Sequence, residues 1–422
     1  MFKLKYQNVL QNNRIKNFVI YGIGQIVNLV SPLLVMPYLV SICEKEGLGK
    51  IGVGFSFALV LNVLIDYGSY INGTKEISIN RENIEIIKTK IVSIYVMKFF
   101  LILMTSFIAF LLIYFIPFFN KEQAVFFFSL LYVIGQFLNP TWIFQGLESY
   151  KWISFINIIS KAIYVVCIFI FITDKDDYIY ANAYLGVGLI ISSFIGLIYL
   201  IKKYNLQFYH NVTKDALLLL KQEFSLTFSQ LFLSFYQYLP IMIVSYVGGN
   251  GMAGQYRIIE QIVMTFRSYL QMFFNFIYAD VCLQIHANLK NGISKWLKYN
   301  GLNYSFVLLV VFTAFVCAEQ ILLYFNIASN DLTSMIYFFR LGLIIPIFMA
   351  ISFALKQLLF ALDKNNMYIK ITIGSSVFSL FLFFVLVKTI GLQGAFIATI
   401  FIEIMVIVLY CAVLKPIIRL SK

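Results

Sequence analysis

Three charged residues lie in one apolar stretch of the chain that is long enough to cross a bilayer. The stretch is residues 255–275, QYRIIEQIVMTFRSYLQMFFN. On a helical wheel, with successive residues about 100° apart, its polar residues gather on one side: Arg257, Glu260, Gln261, Arg267, Ser268, Gln271 and Asn275. An arginine near mid-bilayer costs about 2.5–3.5 kcal/mol. Such a helix therefore needs a protein-lined, water-filled cavity on that side, and cations there indicate an anionic substrate.

These polar residues are the first candidates for substrate binding. Arg267 lies about thirteen residues into its predicted span, too deep to reach the interface easily, and Gln271 lies one turn further on. Arg257 lies near the outer end of the span. Its alternative interpretation is local neutralisation by Glu260, three residues later.

Other cations fall inside apolar segments. Lys98 and Lys161 lie seven or eight residues into their spans, on the predicted inner-leaflet side. They could form a cationic entry for an anionic head group, or extend to the cytoplasmic surface as long side chains do. Arg340 lies near the outer end of its span and could face either a lumen or the interface.

Carboxylates within spans are candidates for ion coupling. These candidates are Asp66, Glu260, Asp280, Glu319 and Glu403, and Glu403 is deepest, about eleven residues into the last apolar segment. A buried carboxylate can carry a proton, but a salt bridge with a neighbouring helix is an equal alternative. We therefore expect no cofactor beyond a coupled proton or sodium ion. The five cysteines are scattered singly and predict neither a disulfide framework nor a metal site.

The composition is that of a polytopic helical membrane protein. Of 422 residues, 61% are hydrophobic and only 12% are charged, and the mean hydropathy is +0.86. These values exclude an ordinary soluble domain. The net charge of +13 would indicate nucleic acid in a soluble protein, but here the positions of the charges matter more than their sum.

Twelve segments are long and apolar enough to span a bilayer. They are 17–40, 51–72, 91–116, 124–145, 153–173, 179–201, 222–247, 254–282, 298–320, 334–360, 367–387 and 392–414. The region of spans one and two weakly repeats in spans seven and eight. We therefore predict an all-α protein with two six-helix lobes around a central cavity: lobe 1–201, cytoplasmic linker 202–221 and lobe 222–422.

The orientation follows from the basic residues between the spans. With the N-terminus inside, the cytoplasmic segments hold 20 Lys and Arg residues and the outer loops hold 5. Because basic residues favour the cytoplasmic side, both termini are predicted to be cytoplasmic. Lys3, Lys5, Arg14 and Lys16 form the basic lead before the first span.

Three stretches carry motifs that are similar to those of a known family. They are DYG at 66–68 with TKEI at 74–77, NPTWIFQGLE at 139–148, and GLQGA at 391–395 with Glu403. They resemble the D-Y-G…T-R-E-I, N-P-x-W-x-F-Q-G-x-E and G-x-x-G-A…E patterns of Wzx-type flippases of O-antigen and capsular polysaccharide. That family shares a superfamily with multidrug antiporters. The motifs lie in spans two, four and twelve, so the resemblance covers essentially the whole chain.

The resemblance implies a transporter rather than an enzyme. It would move undecaprenyl-pyrophosphate-linked oligosaccharide from the inner to the outer leaflet of the bacterial cytoplasmic membrane by alternating access. Its expected partners are this lipid-linked oligosaccharide and membrane lipid, together with a polysaccharide polymerase and a chain-length regulator, and no nucleic acid. Within the second motif, Trp142 and Phe144 fit an interfacial aromatic belt, and Pro140 fits a hinge.

Two other functions remain open. An organic-cation antiporter of the same superfamily would have an acidic cavity, whereas the stretch 255–275 is mainly basic. A membrane enzyme of polysaccharide assembly would carry a sizeable outer loop with catalytic groups. Here the outer loops are short and hold no histidine, since His210 and His286 fall in predicted cytoplasmic loops.

Overall fold

The computed structural model describes the backbone of residues 13–420. Within that range it describes all side chains except those of residues 13–19, 279 and 417–420. This part of the chain is mostly helical and contains no strand. The basic lead of the predicted cytoplasmic N-terminus, Lys3, Lys5, Arg14 and Lys16, lies outside the described side chains, as do Arg419 and Lys422 at the other end.

The helices are mostly long and apolar. Over residues 13–420 the α-helices are α1 Asn13–Asp66, α2 Thr74–Ile79, α3 Ile84–Phe115, α4 Pro117–Asn120, α5 Gln123–Leu138, α6 Thr141–Gly146, α7 Tyr150–Phe171, α8 Ala181–Tyr204, α9 Val212–Ala287, α10 Leu289–Val316, α11 Ala318–Tyr324, α12 Ser329–Gly342, α13 Ile344–Ala361, α14 Asn365–Ile390 and α15 Leu392–Leu420. A π-helical turn at Ser69–Gly73 and a 3₁₀-helix at Lys175–Tyr180 complete the list.

The two longest helices are each broken by one residue. Helix α1 has 54 residues and α9 has 76, several times the roughly 20 that a bilayer requires. Glu44 (φ 57°, ψ −177°) interrupts α1, and Gly249 (φ 81°, ψ 172°) interrupts α9. Ten helices in the searched part of the chain are long and apolar enough to cross a membrane. Because α1 and α9 each hold two predicted spans, these ten helices account for all twelve.

Within the described residues, the first compact unit comprises 13–35 and 53–231. In it α8 packs along α5 and α7. Gly186 approaches the backbone of Leu131, and Gly188 approaches the backbone carbonyl of Ser160. Small residues let helix backbones approach closely in a membrane, where burial from water gives no driving force between helices.

Within the described residues, the second compact unit comprises 36–52 and 232–420. An apolar cluster from α9, α10, α13 and α15 forms part of its core: Ile277, Val281, Ile285, Trp296, Leu355, Leu358, Leu359, Ala361, Tyr410 and Leu414. Polar groups inside it are bonded. Trp296 Nε1 donates to the Ala354 carbonyl at 3.1 Å, and Gln357 Nε2 donates to the Phe274 carbonyl at 3.1 Å.

The structure confirms the all-helical fold. The grouping of residues into units differs in places from what the sequence indicates. Residues 36–52 belong to the second unit, although the parts of α1 on either side of them belong to the first. Residues 202–231 belong to the first unit. The division into 1–201, 202–221 and 222–422 stays a prediction.

Candidate functional site

A small cavity lies inside the second unit, beside the stretch that carries Arg257, Glu260 and Arg267. Its volume is about 30 Å³, which is room for about two water molecules. Apolar residues of α13, α14 and α15 close part of its wall. The polar side chains along the wall are Tyr236, Gln237, Tyr256, Glu260, Arg267 and Thr399.

Arg257 is paired with the carboxylate three residues later. Its Nη1 donates to Glu260 Oε2 at 2.8 Å, and Glu260 is only 6% exposed. The spacing puts both side chains on one face of α9, one turn apart. Local neutralisation, the alternative interpretation of Arg257, is therefore present in the structure.

Arg267 is held differently, by an aromatic ring. Its guanidinium carbon lies 5.7 Å from the centre of the Tyr236 ring, a distance that allows a cation–π interaction. Its Nε is buried and has no hydrogen-bond partner in the described part of the chain. This donor group at the cavity wall is thus available to an acceptor, either water or an anion.

Glu403 lies next to this pair and is also buried. Its Oε1 accepts from the Tyr236 hydroxyl at 2.9 Å, and its Oε2 accepts from Ser352 Oγ at 2.7 Å. Tyr236 therefore contacts Arg267 through its ring and Glu403 through its hydroxyl. The sequence analysis missed Tyr236 and Ser352. The only available signal for Tyr236 was its place one turn before Pro240 in an apolar span.

The charges around the cavity nearly balance. Two arginines, Arg257 and Arg267, lie near two carboxylates, Glu260 and Glu403. The cationic substrate path stays a prediction. A charge buried in a membrane protein requires a nearby partner, and here Arg257, Glu260 and Glu403 each have one within hydrogen-bond distance.

Lys98 and Asp66 belong to the first unit. Lys98 is only 2% exposed, and its Nζ lies 5.8 Å from the centre of the Trp142 ring. Extension to the surface is therefore wrong for Lys98. Asp66 acts on Lys98 electrostatically, and its Oδ1 accepts from Ser69 Oγ at 3.1 Å.

The remaining predicted residues lie elsewhere. Lys161, in the first unit, is half-buried and has its Nζ 5.8 Å from the centre of the Tyr164 ring. Gln271 donates to Asn275 one turn further along α9, at 2.9 Å. Arg340 is exposed and lies over the Phe315 ring at 4.8 Å. None of these three contributes to the cavity wall described above.

Two of the three family-like motifs contact each other in the first unit. Thr74 Oγ1, on α2, donates to the Trp142 carbonyl, on α6, at 3.0 Å. Arg81 pairs with Glu148 at 3.0 Å. Trp142 and Phe144 are 2% and 1% exposed, so the interfacial belt predicted for them is wrong.

The absence of a side chain at Gly73 explains the buried position of Trp142. A Cβ at Gly73 would lie 2.9 Å from the indole, so only glycine leaves room for the ring there.

Comparison with known proteins agrees with these motifs. Residues 15–280 match the family described as polysaccharide biosynthesis protein. A protein of Escherichia coli strain K12, named as a candidate O-antigen transporter, is 24% identical over 287 residues. That alignment covers 66% of this chain and 67% of the relative.

Solved structures share the fold. The lipid II flippase MurJ, in an inward closed conformation, superposes with a TM-score of 0.70 at 14% identity, covering 95% of this chain and 87% of that chain. A multidrug resistance MATE family transporter of the MOP superfamily, in an inward-facing conformation, gives 0.68 at 14% identity, with 96% of each chain covered. At this identity the likeness shows the fold alone. The family match spans well over half of the 422 residues, so this multi-pass membrane protein belongs to the polysaccharide biosynthesis protein family.

Proposed function

We propose that the protein is a flippase for lipid-linked oligosaccharide. It moves undecaprenyl-pyrophosphate-linked repeat units from the inner to the outer leaflet of the bacterial cytoplasmic membrane by alternating access. Family membership supports this, as does the name of the E. coli relative. A hydrated glycan cannot enter hydrocarbon without losing many hydrogen bonds, so a polar route through protein is needed.

The observation that carries the proposal is the state of Arg267. It is a cation within an apolar stretch long enough to cross a membrane; its guanidinium lies over the Tyr236 ring, and its buried Nε has no hydrogen-bond partner in the described part of the chain. A guanidinium is well matched to phosphate oxygens because its donors form a planar fork. A diphosphate group is the acceptor that we assign to it.

The size of the cavity implies a conformational change. About 30 Å³ holds roughly two waters and cannot hold a diphosphate or a sugar. The site must therefore widen before it can take the head group. Alternating access requires such a change in each cycle.

Ion coupling is part of the proposal. A coupled proton or sodium ion would drive flipping, with Glu260, Glu403 and Asp66 as the candidate carboxylates. Of these, Glu260 is already neutralised by Arg257, whereas Glu403 is bonded to two neutral hydroxyls. We therefore place Glu403 first. A polysaccharide polymerase and a chain-length regulator are the proposed protein partners, and we propose no catalytic step.

A second candidate function has one observation in its favour. Buried carboxylates next to the cavity, Glu260 and Glu403, suit an organic cation, and the MATE transporter shares the fold. An organic-cation antiporter would use these carboxylates and would not require Arg267.

Flipping in proteoliposomes tests the proposal. Undecaprenyl-pyrophosphate oligosaccharide is loaded, and its accessibility to an impermeant glycosidase is followed for the wild type, Arg267→Ala and Arg267→Lys. We expect flipping to collapse in Arg267→Ala and to survive partly in Arg267→Lys, which keeps the charge but not the planar fork.

A matched control keeps the test specific. Lys388→Ala removes a cation that also lies over a ring, Phe384 at 6.0 Å, but is exposed and away from the cavity. It should flip like the wild type. Flipping that is equal in all variants would remove Arg267 from the mechanism. Efflux of organic cations without flipping would favour the antiporter.

A further inference from the structure

The breaks in α1 and α9 bring two glycines against backbone. Within the second unit, a Cβ at Gly49 would collide with the Asn250 carbonyl oxygen. A Cβ at Gly254 would collide with the Lys45 carbonyl oxygen. We call these four residues the glycine clasp. Only glycine at both positions permits this approach of the two backbones.

The two halves of the clasp, one in α1 and one in α9, have the same arrangement of residues. Glu44 and Gly249, the break residues, share one conformation, with φ 57° and 81° and ψ −177° and 172°. In each helix the clasp glycine is the fifth residue after the break. In each, the carbonyl that it approaches in the other helix belongs to the first residue after the break. Each helix bends at its break residue, and we call this bend an elbow. The glycine after one elbow thus contacts the carbonyl at the equivalent position after the other elbow.

Two polar contacts near the clasp join residues that are far apart in the sequence. Lys45 Nζ pairs with Asp331 Oδ2 at 2.6 Å, and the two side chains are 45% and 28% exposed. Asn326 Nδ2 donates to the Pro37 carbonyl at 3.1 Å. Exposed ion pairs contribute little to stability. The fit of the two glycines is a specific part of the contact, because a side chain at either position would meet backbone.

We propose that the glycine clasp is a releasable latch for the elbow at residues 36–52. The elbow is seated in the second unit in this structure, while α1 on either side of it belongs to the first. It leaves its seat when the protein changes conformation. A contact between bare backbones can close tightly and reopen without any rearrangement of side chains at the glycines. The inference rests on the proposed function, because alternating access is the reason why the clasp would have to open.

Gly251, in the same segment of α9 as Gly254, offers a matched control. A Cβ at Gly251, three residues before Gly254, would lie 3.7 Å from Glu46 Cγ, an ordinary contact. Alanine at either position gains similar helix propensity, about 1 kcal/mol. Only Gly254→Ala forces a side chain into backbone.

Hydrogen exchange of the full chain in lipid nanodiscs tests whether the elbow is seated by the clasp. We expect Gly254→Ala and Gly49→Ala to speed exchange in residues 36–52 by about tenfold, as loss of a tightly packed contact predicts. Gly251→Ala should exchange like the wild type. Equal exchange in all four proteins would overturn the clasp. This measurement needs no substrate, so its failure is separate from failure of the proposed function.

A reversible cross-link tests whether the latch must open. Lys45→Cys with Asp331→Cys, in a version without the five native cysteines, is joined by a cleavable thiol linker. Flipping should fall about tenfold and return on reduction, as expected if the unlatched state is required in every cycle. A linker between Tyr337→Cys and Gln393→Cys, which also contact each other in the second unit, should have no effect. Full flipping with the first linker in place would show that the latch never opens, and the proposal would fall.

Discussion

Tyr236 contacts two charged residues, Arg267 with its ring and Glu403 with its hydroxyl. A mutation that removes only the hydroxyl tests the Glu403 contact while the ring stays. In Tyr236→Phe the ring under Arg267 remains, but Glu403 loses the donor to its Oε1 and keeps Ser352 as the donor to its Oε2. A buried acceptor that loses a donor costs about 1–3 kcal/mol. We expect Tyr236→Phe to lower the thermal unfolding temperature of the purified protein in detergent.

Tyr337→Phe is the control for this change. Its hydroxyl accepts from Gln393 Nε2 at 2.7 Å, in an exposed position. Water can replace that partner, so the free energy of unfolding should change by less than about 0.5 kcal/mol. Equal losses in the two variants would show that the Glu403 contact has no special weight.

The sequence predicts which residues lie close together only when those residues share a helix. Arg257, Glu260 and Arg267 fall on one face of α9 by periodicity. In the structure Glu260 and Arg267 line the cavity, and Arg257 pairs with Glu260. Tyr236 and Ser352 reach Glu403 from 167 and 51 positions away. Helical periodicity carries no information about which helices touch, so those contacts could not be found.

At the scale of elements, the break in α9 depends on a conformation that side chains rarely adopt. Gly249 has φ 81° and ψ 172°, and a Cβ there would meet nothing within 4 Å. The cost of Gly249→Ala is therefore conformational alone, about 1–3 kcal/mol. We expect a lower unfolding temperature.

Gly374→Ala is the natural comparison. Gly374 also has open space around it, but it lies inside α14 with helical angles. Alanine there should stabilise the protein slightly, by up to about 1 kcal/mol. If both variants moved in the same direction, backbone strain at Gly249 would not explain the result.

The spans were predictable, but the breaks between them were not. Hydropathy measures the length of apolar sequence, and that length identifies all twelve spans. It does not register backbone angles. Glu44 takes a left-handed φ of 57° although it is not a glycine, so nothing in its residue type marks the break in α1. The corresponding break at Gly249 falls in a glycine-rich segment, where a turn is expected.

At the scale of the whole molecule, class and family follow from composition and three motifs, but grouping into units does not. Residues 36–52 group with the second unit, where glycines and backbone carbonyls of distant segments meet. Such contacts depend on the packing of distant segments. The volume of the cavity has the same origin, because its wall combines side chains from four helices.

The orientation in the membrane gives a test of the whole topology. Helix α8, Ala181–Tyr204, has 24 residues and is about 36 Å long, enough to cross the hydrocarbon once. The segments before and after it must therefore face opposite sides. The acidic segment around Asp176 is predicted outside, and the basic segment around His210 is predicted inside.

Single cysteines at these two positions, in a version without the native cysteines, check the prediction. In intact cells we expect an impermeant maleimide to label Asp176→Cys at once, and His210→Cys only after the membrane is permeabilised. The reverse pattern would invert the chain and put the glycine clasp on the cytoplasmic side. Labelling of both from one side would contradict α8 as a span. Five predicted spans, an odd number, separate Lys45 from His210, so these residues are predicted on opposite sides of the membrane. One orientation therefore fixes the side of the clasp, the side of the basic loops and the direction of transport.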